Sequence, residues 1–228
     1  GPFQVLSFAA ADSYLVAGLN YDSTYLFQVS TCQFAENIWT LPDTLHLPAP
    51  PNVLFILIDD SRYDYFSCNG APSFFQTPNI DRIANEGVNF KRSYVVTSLC
   101  APSRASIATG LFTLETGVVN DNIALDTTFM TLPAVMKEHG YYSALVGKNH
   151  ETFLQGSVPE FNYYLEQVGY EKFDGKKWDY NGELKDIDTE YPRTLTDTTI
   201  ALIQRVTDPF FIWLAPEIPH IPLRPLPA

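Results

Sequence analysis

Asp59 and Asp60 stand side by side directly after the apolar run Val53 to Ile58. Two adjacent ionised carboxylates repel unless a cation or hydrogen-bond donors offset them, and paired oxygens with no thiolate or imidazole beside them suit a hard ion such as calcium or magnesium. A solvated turn or helix cap is the plain alternative for such a pair taken alone. Further along, Ser98-Leu99-Cys100-Ala101-Pro102-Ser103-Arg104 ends a loop and opens a helix. A cysteine at a helix start meets partial positive charge and free backbone N–H groups, which favour a nucleophile and bind a tetrahedral oxyanion. Arg104, one turn in, can clamp the same anion with two guanidinium hydrogen bonds.

The elements that must carry these residues alternate between strand and helix from Pro51 onward. Val53 to Ile58 reads as a central parallel strand covered on both faces. Thr77-Pro78 starts a helix that Gly87 closes, and Val88 to Val96 reads as a strand. A helix from Pro102 to Thr109 stops at Gly110, and another from Leu132 to His139 follows the cap Thr131. The strand Tyr141 to Val146, a helix over Thr194 to Val206 and the strand Phe210 to Leu214 complete the pattern. This order predicts an α/β fold with a doubly wound, mostly parallel sheet, whose ligands bind beyond the carboxyl ends of the strands, where Asp59-Asp60 falls.

The first fifty residues differ. Gln4 to Phe8, Ser13 to Val16 and Tyr25 to Thr31 alternate with period two, as half-buried antiparallel strands do. Leu19 to Tyr25 and the alternation after it resemble the tyrosine corner and following strand of a fibronectin type III-like sandwich, of which residues 1–50 would be only the closing part. An unrelated β-rich extension is the alternative. Leu41-Pro42 through Pro50-Pro51 reads as an extended linker, which places a catalytic domain at 51–228.

Composition narrows the partners. A chain of 228 residues, 46% hydrophobic and 18% charged, can bury a sizeable core, and 26 acidic against 14 basic residues give a net charge of -12. That charge repels nucleic acid and anionic membrane surfaces, and six apolar residues in a row are far short of the roughly 20 that span a bilayer. Three cysteines, Cys32, Cys68 and Cys100, form neither a disulfide framework nor a zinc knuckle pattern. The opening Gly1-Pro2 suggests a processed, excerpted or tagged start.

Cys100-Ala101-Pro102-Ser103-Arg104 with Thr109-Gly110 resembles the signature of the type I sulfatases of the alkaline phosphatase superfamily. The resemblance extends over Pro51-Asn52-Val53 to Asp59-Asp60, Thr77 to Asp81, Gly140-Tyr141, Gly147-Lys148-Asn149-His150, and Pro209-Phe210-Phe211 to Pro219-His220. It implies that a formylglycine-generating enzyme oxidises Cys100 to formylglycine, whose hydrated aldehyde attacks a sulfate ester. By the same resemblance Asp59, Asp60 and residue 100 ligate one Ca2+, and Arg104 holds the hydrated aldehyde. Lys148 would bind the sulfate, His150 would assist the second hydroxyl, and His220 would contact the leaving oxygen.

Asn149 departs from the family, where tryptophan usually separates the lysine from the histidine, and Ala108 replaces a larger aliphatic residue. A later Asp-Asn or Asp-His pair and a second lysine of the family lie beyond the chain, so the expectation is a truncated sheet and half an active site. Thr116 to Asn120 and the Pro-His-x-Pro segment are similar to glucosamine-6-sulfate and other carbohydrate sulfatases, implying a sulfated glycan as substrate. A phosphodiester or phosphonate hydrolase and a silent sulfatase-like interaction protein are the alternatives. Relatives modified in the secretory pathway imply a secreted or lumenal, including lysosomal, location, although the chain holds no Asn-x-Ser/Thr site.

His46 and His139 read as structural, and Asp174, Asp179, Asp186, Asp188 and Glu190 as a solvated acidic face lacking the spacing of a calcium loop. Tyr163, Tyr164, Tyr170 and Trp178 read as packing, with a sugar-binding platform as the alternative.

Overall fold

The computed structural model describes residues 23–27, 30–33, 36–39, 43–150, 152–153, 160–168, 177–187 and 191–220. The chain divides into two compact units, Gly1–Pro51 and Asn52–Ala228.

The first unit contains two small antiparallel ladders. Strand β1 (Ser23–Phe27) pairs with β4 (Asp43–Leu47), and β2 (Ser30–Gln33) pairs with β3 (Glu36–Trp39). The expected single strand Tyr25 to Thr31 is thus divided between two ladders. The expected linker is also corrected, because Pro42 and Pro48 flank β4 and leave its five residues free to pair. His46 lies in β4, its Nδ1 3.2 Å from Thr24 Oγ1. The expected strands Gln4 to Phe8 and Ser13 to Val16, with most of the tyrosine-corner segment, lie outside the described residues.

The second unit is α/β. Its elements are β5 (Val53–Ile56), α1 (Pro78–Glu86), α2 (Cys100–Thr109), α3 (Thr113–Thr116), α4 (Leu132–Glu138) and β6 (Tyr142–Gly147). They continue with β7 (Tyr163–Gln167), β8 (Lys177–Tyr180), β9 (Glu183–Asp186), α5 (Tyr191–Arg205) and β10 (Phe210–Ala215). Among the described residues the sheet runs β5-β10-β6-β7-β8-β9, parallel from β5 to β7 and antiparallel from β7 to β9. The doubly wound, mostly parallel arrangement expected from the alternating elements is present.

Two strand expectations are corrected. β5 lies at the edge of the described sheet, with Leu54 and Ile56 40% and 45% exposed while Val53, Phe55 and Leu57 pack inward. Its unbroken apolar run therefore looks like a strand covered on both faces although one face is half open. Val88 to Val96 is irregular, since Lys91 and Arg92 form a turn that interrupts the alternation, and Val88, Phe90, Tyr94 and Val95 are exposed.

The core lies on both faces of the sheet. One cluster packs Ala144, Val146, Leu165, Trp178 and Ile212 against Tyr191, Leu195 and Leu202 of α5. The other joins Leu145, Tyr164, Phe211 and Trp213 to Ala108 of α2 and to Phe153 and Phe161. Tyr163, Tyr164 and Trp178 are buried in these clusters, so they pack as expected; Tyr170 lies outside the described residues. Asp179 corrects the solvated acidic face: it is buried in β8 and accepts the Gly182 N–H at 2.8 Å. Asp186 is exposed, and Asp174, Asp188 and Glu190 lie outside the described residues.

Candidate active site

Three neighbouring parallel strands, β5, β10 and β6, end on the same side of the sheet and deliver the polar residues there. Asp59 follows β5, Glu217 and His220 follow β10, and Lys148 to His150 follow β6. The backbone N–H groups of Asp59 and Lys148 donate to Pro216 O and Ala215 O, which locks both turns onto β10. Gly147 makes the second turn possible. Its φ is +112°, and a Cβ there would collide with the Ala215 carbonyl oxygen, so only glycine lets β6 pass so close to β10.

Helix α2 starts at Cys100, two residues earlier than expected, and ends at Gly110 in the left-handed conformation. Leu99 at its N-cap offers no side-chain acceptor, and Asp121 Oδ1 takes the role by accepting the Ala101 N–H at 2.9 Å. Arg104 is 3% exposed and donates to Lys148 O at 3.1 Å, which ties the helix to the end of β6.

Asp59 is the hub. Lys148 Nζ donates to its Oδ2 at 2.6 Å, Arg104 lies 3.8 Å from the same oxygen, and Cys100 Sγ is 3.8 Å from Oδ1. Burial acts to raise the Asp59 pKa, but Lys148, Arg104 and His220 together hold it below the usual value. Glu217 Oε1 lies 3.7 Å from Lys148 Nζ, so the ammonium sits between two buried carboxylates. Asp60 is exposed at a left-handed φ of 48°, and its carboxylate lies 3.8 Å from His220 Nε2.

Burial raises the Cys100 pKa; Lys148 opposes the shift, while Asp59, Asp121 and Asp60 add to it. Burial first, and then the three carboxylates, thus oppose the pull of the helix start on the thiol. Burial also lowers the Arg104 pKa from its usual high value, against the pull of Asp59.

His150 adopts a left-handed φ of 53°, and its Nε2 is 3.8 Å from Asp121 Oδ1. Glu166 of β7 holds this turn: its Oε1 accepts from the Asn149 N–H at 2.8 Å and the His150 N–H at 3.5 Å, while Oε2 accepts from Tyr164 OH at 2.6 Å. Asn149 is buried, and its amide exchanges two 2.8 Å hydrogen bonds with the Phe153 backbone. The residue that departs from the family pattern thus closes the loop after Lys148.

All seven residues singled out in the sequence, Asp59, Asp60, Cys100, Arg104, Lys148, His150 and His220, meet at this end of the sheet. Sequence reasoning missed Asp121, Glu166 and Glu217. Glu217 sits within Pro216-Glu217-Ile218-Pro219-His220, so proximity to His220 was an available signal; nothing local marks Glu166.

The chain belongs to the sulfatase family, whose model matches residues 51–227. An N-acetylglucosamine-6-O-sulfatase from Bacteroides thetaiotaomicron is 32% identical over 189 residues, covering 78% of this chain and 32% of that protein. A solved structure in complex with its substrate D-glucosamine-2-N,6-O-disulfate aligns with a TM-score of 0.69 at 30% identity, over 75% of this chain and 35% of the other. A phosphonate monoester hydrolase of Agrobacterium radiobacter shares the fold, with a TM-score of 0.60 at 23% identity over 75% of this chain and 41% of its own. The chain spans about a quarter to a third of the length of the curated relatives it matches.

Proposed function

We propose that this chain carries the nucleophile half of a sulfuric ester hydrolase acting on a sulfated sugar. The observation that supports this most is the convergence of Cys100, Arg104 and Lys148 on the Asp59 carboxylate. The similarity to an N-acetylglucosamine-6-O-sulfatase and to a structure in complex with its substrate D-glucosamine-2-N,6-O-disulfate supports the sugar as substrate class.

In this reading Cys100 is the substrate of a formylglycine-generating enzyme before it is a catalyst. A thiol whose pKa is raised by burial and by three carboxylates is a poor nucleophile in its own right. One hydroxyl of the hydrated aldehyde loses its proton to solvent and forms the bond to sulfur as the ester S–O bond breaks, and the leaving oxygen takes a proton from His220. The remaining hydroxyl gives up its proton towards His150, the carbonyl re-forms, and the bond to sulfate breaks. Arg104 and Lys148 offset the negative charge of the sulfuryl group during both displacements.

The donors fit a hard cation. Asp59 and Asp60 supply carboxylates from one turn, the Asp60 carboxylate lies beside His220, and Asp59 Oδ1, the oxygen away from Lys148, faces residue 100. Asp59, Asp60 and residue 100 would hold Ca2+, which would supply Lewis-acid stabilisation of the sulfate oxygens. No helix among the described residues is long and apolar enough to cross a membrane, and we place the protein in a secreted or lumenal compartment, where such oxidation of relatives occurs. The first unit is assigned to the closing strands of a fibronectin type III-like module, supported by its antiparallel pairing.

The test is turnover by the full-length protein, coexpressed with the oxidising enzyme, on a 6-O-sulfated N-acetylglucosamine and on an aryl phosphonate. Desulfation that vanishes in Cys100→Ala, with the aldehyde seen by peptide mass spectrometry, is expected. Phosphonate turnover alone would move the assignment to the phosphonate hydrolases, and intact thiol in an active enzyme would overturn the nucleophile.

A further inference from the structure

Two groups of potential ligands share Cys100. Cys100, Asp121 and His150 offer a sulfur, a carboxylate oxygen and an imidazole nitrogen within 4.8 Å of one another, and Asp59, Cys100 and His220 do the same. The two differ in what already holds the carboxylate. Asp59 is bound through Oδ2 to a buried ammonium at 2.6 Å with Arg104 behind it, which leaves only its Oδ1 open to a cation. Asp121 accepts only a neutral backbone N–H at 2.9 Å among its described hydrogen bonds, and it is half-buried, as are Cys100 and His150.

We propose that, while residue 100 is still a thiol, Cys100, Asp121 and His150 bind a thiophilic divalent cation of the zinc class. The proposal concerns the chain before oxidation and does not rest on the sulfatase chemistry proposed above. Ligands about 2.0 Å from a tetrahedral ion stand about 3.3 Å apart, and a sulfur at about 2.3 Å stands slightly farther. His150 Nε2 and Asp121 Oδ1 are 3.8 Å apart, so a movement of about half an ångström closes the pair around an ion. Sulfur and imidazole ligands select zinc over calcium, and water completes a fourth position. Binding forms the Zn–S bond and releases the thiol proton to solvent. Asp59, Asp121 and Asp60 bear on Cys100 against the charge of Lys148, which Asp59 and Glu217 share between them.

The structure also supplies a clean variant. Asp121→Asn keeps an oxygen to accept the Ala101 N–H, so it weakens a metal ligand without removing the acceptor at the start of α2. The experiment uses the chain made without the oxidising enzyme, with Cys32 and Cys68 replaced by serine and the Cys100 thiol confirmed by mass. Zn2+ affinity is measured by competition with a chromogenic chelator, and Co2+ is added as a spectroscopic probe. One ion per chain with a thiolate-to-cobalt charge-transfer band is expected. Affinity should fall at least tenfold in Cys100→Ser, Asp121→Asn and His150→Ala, and change less than twofold in His220→Ala, with circular dichroism confirming that each variant is folded. Absence of the charge-transfer band, or undiminished affinity in Cys100→Ser, would overturn the site. A loss in His220→Ala as large as that in His150→Ala would overturn it in favour of the Asp59 cluster. Because the assay reads metal binding by a thiol, its failure leaves the sulfatase reading untouched, and failure of that reading leaves this one untouched.

Discussion

Replacing Lys148 by methionine isolates the central ion pair of the site. The substitution preserves much of the aliphatic stem but strips Asp59, itself 7% exposed, of a 2.6 Å charged hydrogen bond, leaving Arg104 at 3.8 Å as its nearest cation. Removing one member of a buried pair typically costs about 3 to 5 kcal/mol, because the other charge stays buried. A domain of this size shifts by about 2 to 4 °C per kcal/mol, so the melting temperature should drop by roughly 6 to 20 °C. The pH dependence follows from the sign of the Asp59 shift. In the wild type the carboxyl lies below its ordinary value of 3.8, so its stabilisation is fully present above that value and is lost as pH falls through the lower folded one. In the variant, burial loses its main opponent and the carboxyl titrates higher, so the folded variant takes up a proton first and regains stability as pH falls. The gap between the two proteins should therefore narrow from pH 7 towards pH 4. Urea unfolding of both proteins in chelator-containing buffer checks this, and Asp59→Asn combined with Lys148→Met should cost about 2 kcal/mol less than the sum of the single variants. A gap below 1 kcal/mol at pH 7, or one constant across this range, would refute the assignment of Lys148 as the partner that keeps Asp59 ionised.

Gly147→Ala should cost more than about 3 kcal/mol, since it imposes both a left-handed φ and a collision with the Ala215 carbonyl; soluble yield and thermal unfolding report it. Asn149→Ala should lose about 2 to 4 kcal/mol by leaving the Phe153 backbone unpartnered at the tip of the turn, readable by urea unfolding and by faster amide exchange at Phe153. Thr131→Ala removes the side-chain acceptor for Ala134 N–H at the start of α4 and should cost about 1 kcal/mol, a modest loss measurable in the same unfolding assay.

The legible parts of the sequence were those with local causes. Gly87, Gly110 and Gly140 end helical patterns that the structure contains, and the motif from Cys100 to Arg104 forms a helix start because Pro102 and Ser103 fit its first turn. What escaped depended on partners distant in the chain. Val88 to Val96 has the composition of a strand but no ladder among the described residues, whereas Glu183 to Asp186, exposed along its length, is held as a strand by pairing with β8. The same limit governed the site. Asp59 and Cys100 carry chemistry in their own neighbourhood, but Glu166 matters only because β7 lies beside β6 and places its carboxylate under the Asn149 and His150 amides. The direction of the Cys100 shift likewise depended on burial by the fold and then on carboxylates from separate segments.

β10 is the last of the described strands and lies between β5 and β6, the first two strands of its sheet. On a growing chain, Asp59 and Lys148 would emerge long before the strand that brings their elements together. Until Phe210 to Ala215 leaves the ribosome, β5 lacks its neighbour among the described strands, and neither the Pro216 carbonyl that holds Asp59 nor the Ala215 carbonyl that holds Lys148 exists. Closing so long a loop is slow, and the waiting edges of β5 and β6 are open to other chains. The order of synthesis therefore makes the ion pair at Asp59 a late event of folding. Any translational pause before β10 leaves a nascent chain in which Cys100 has been made but the site around it has not.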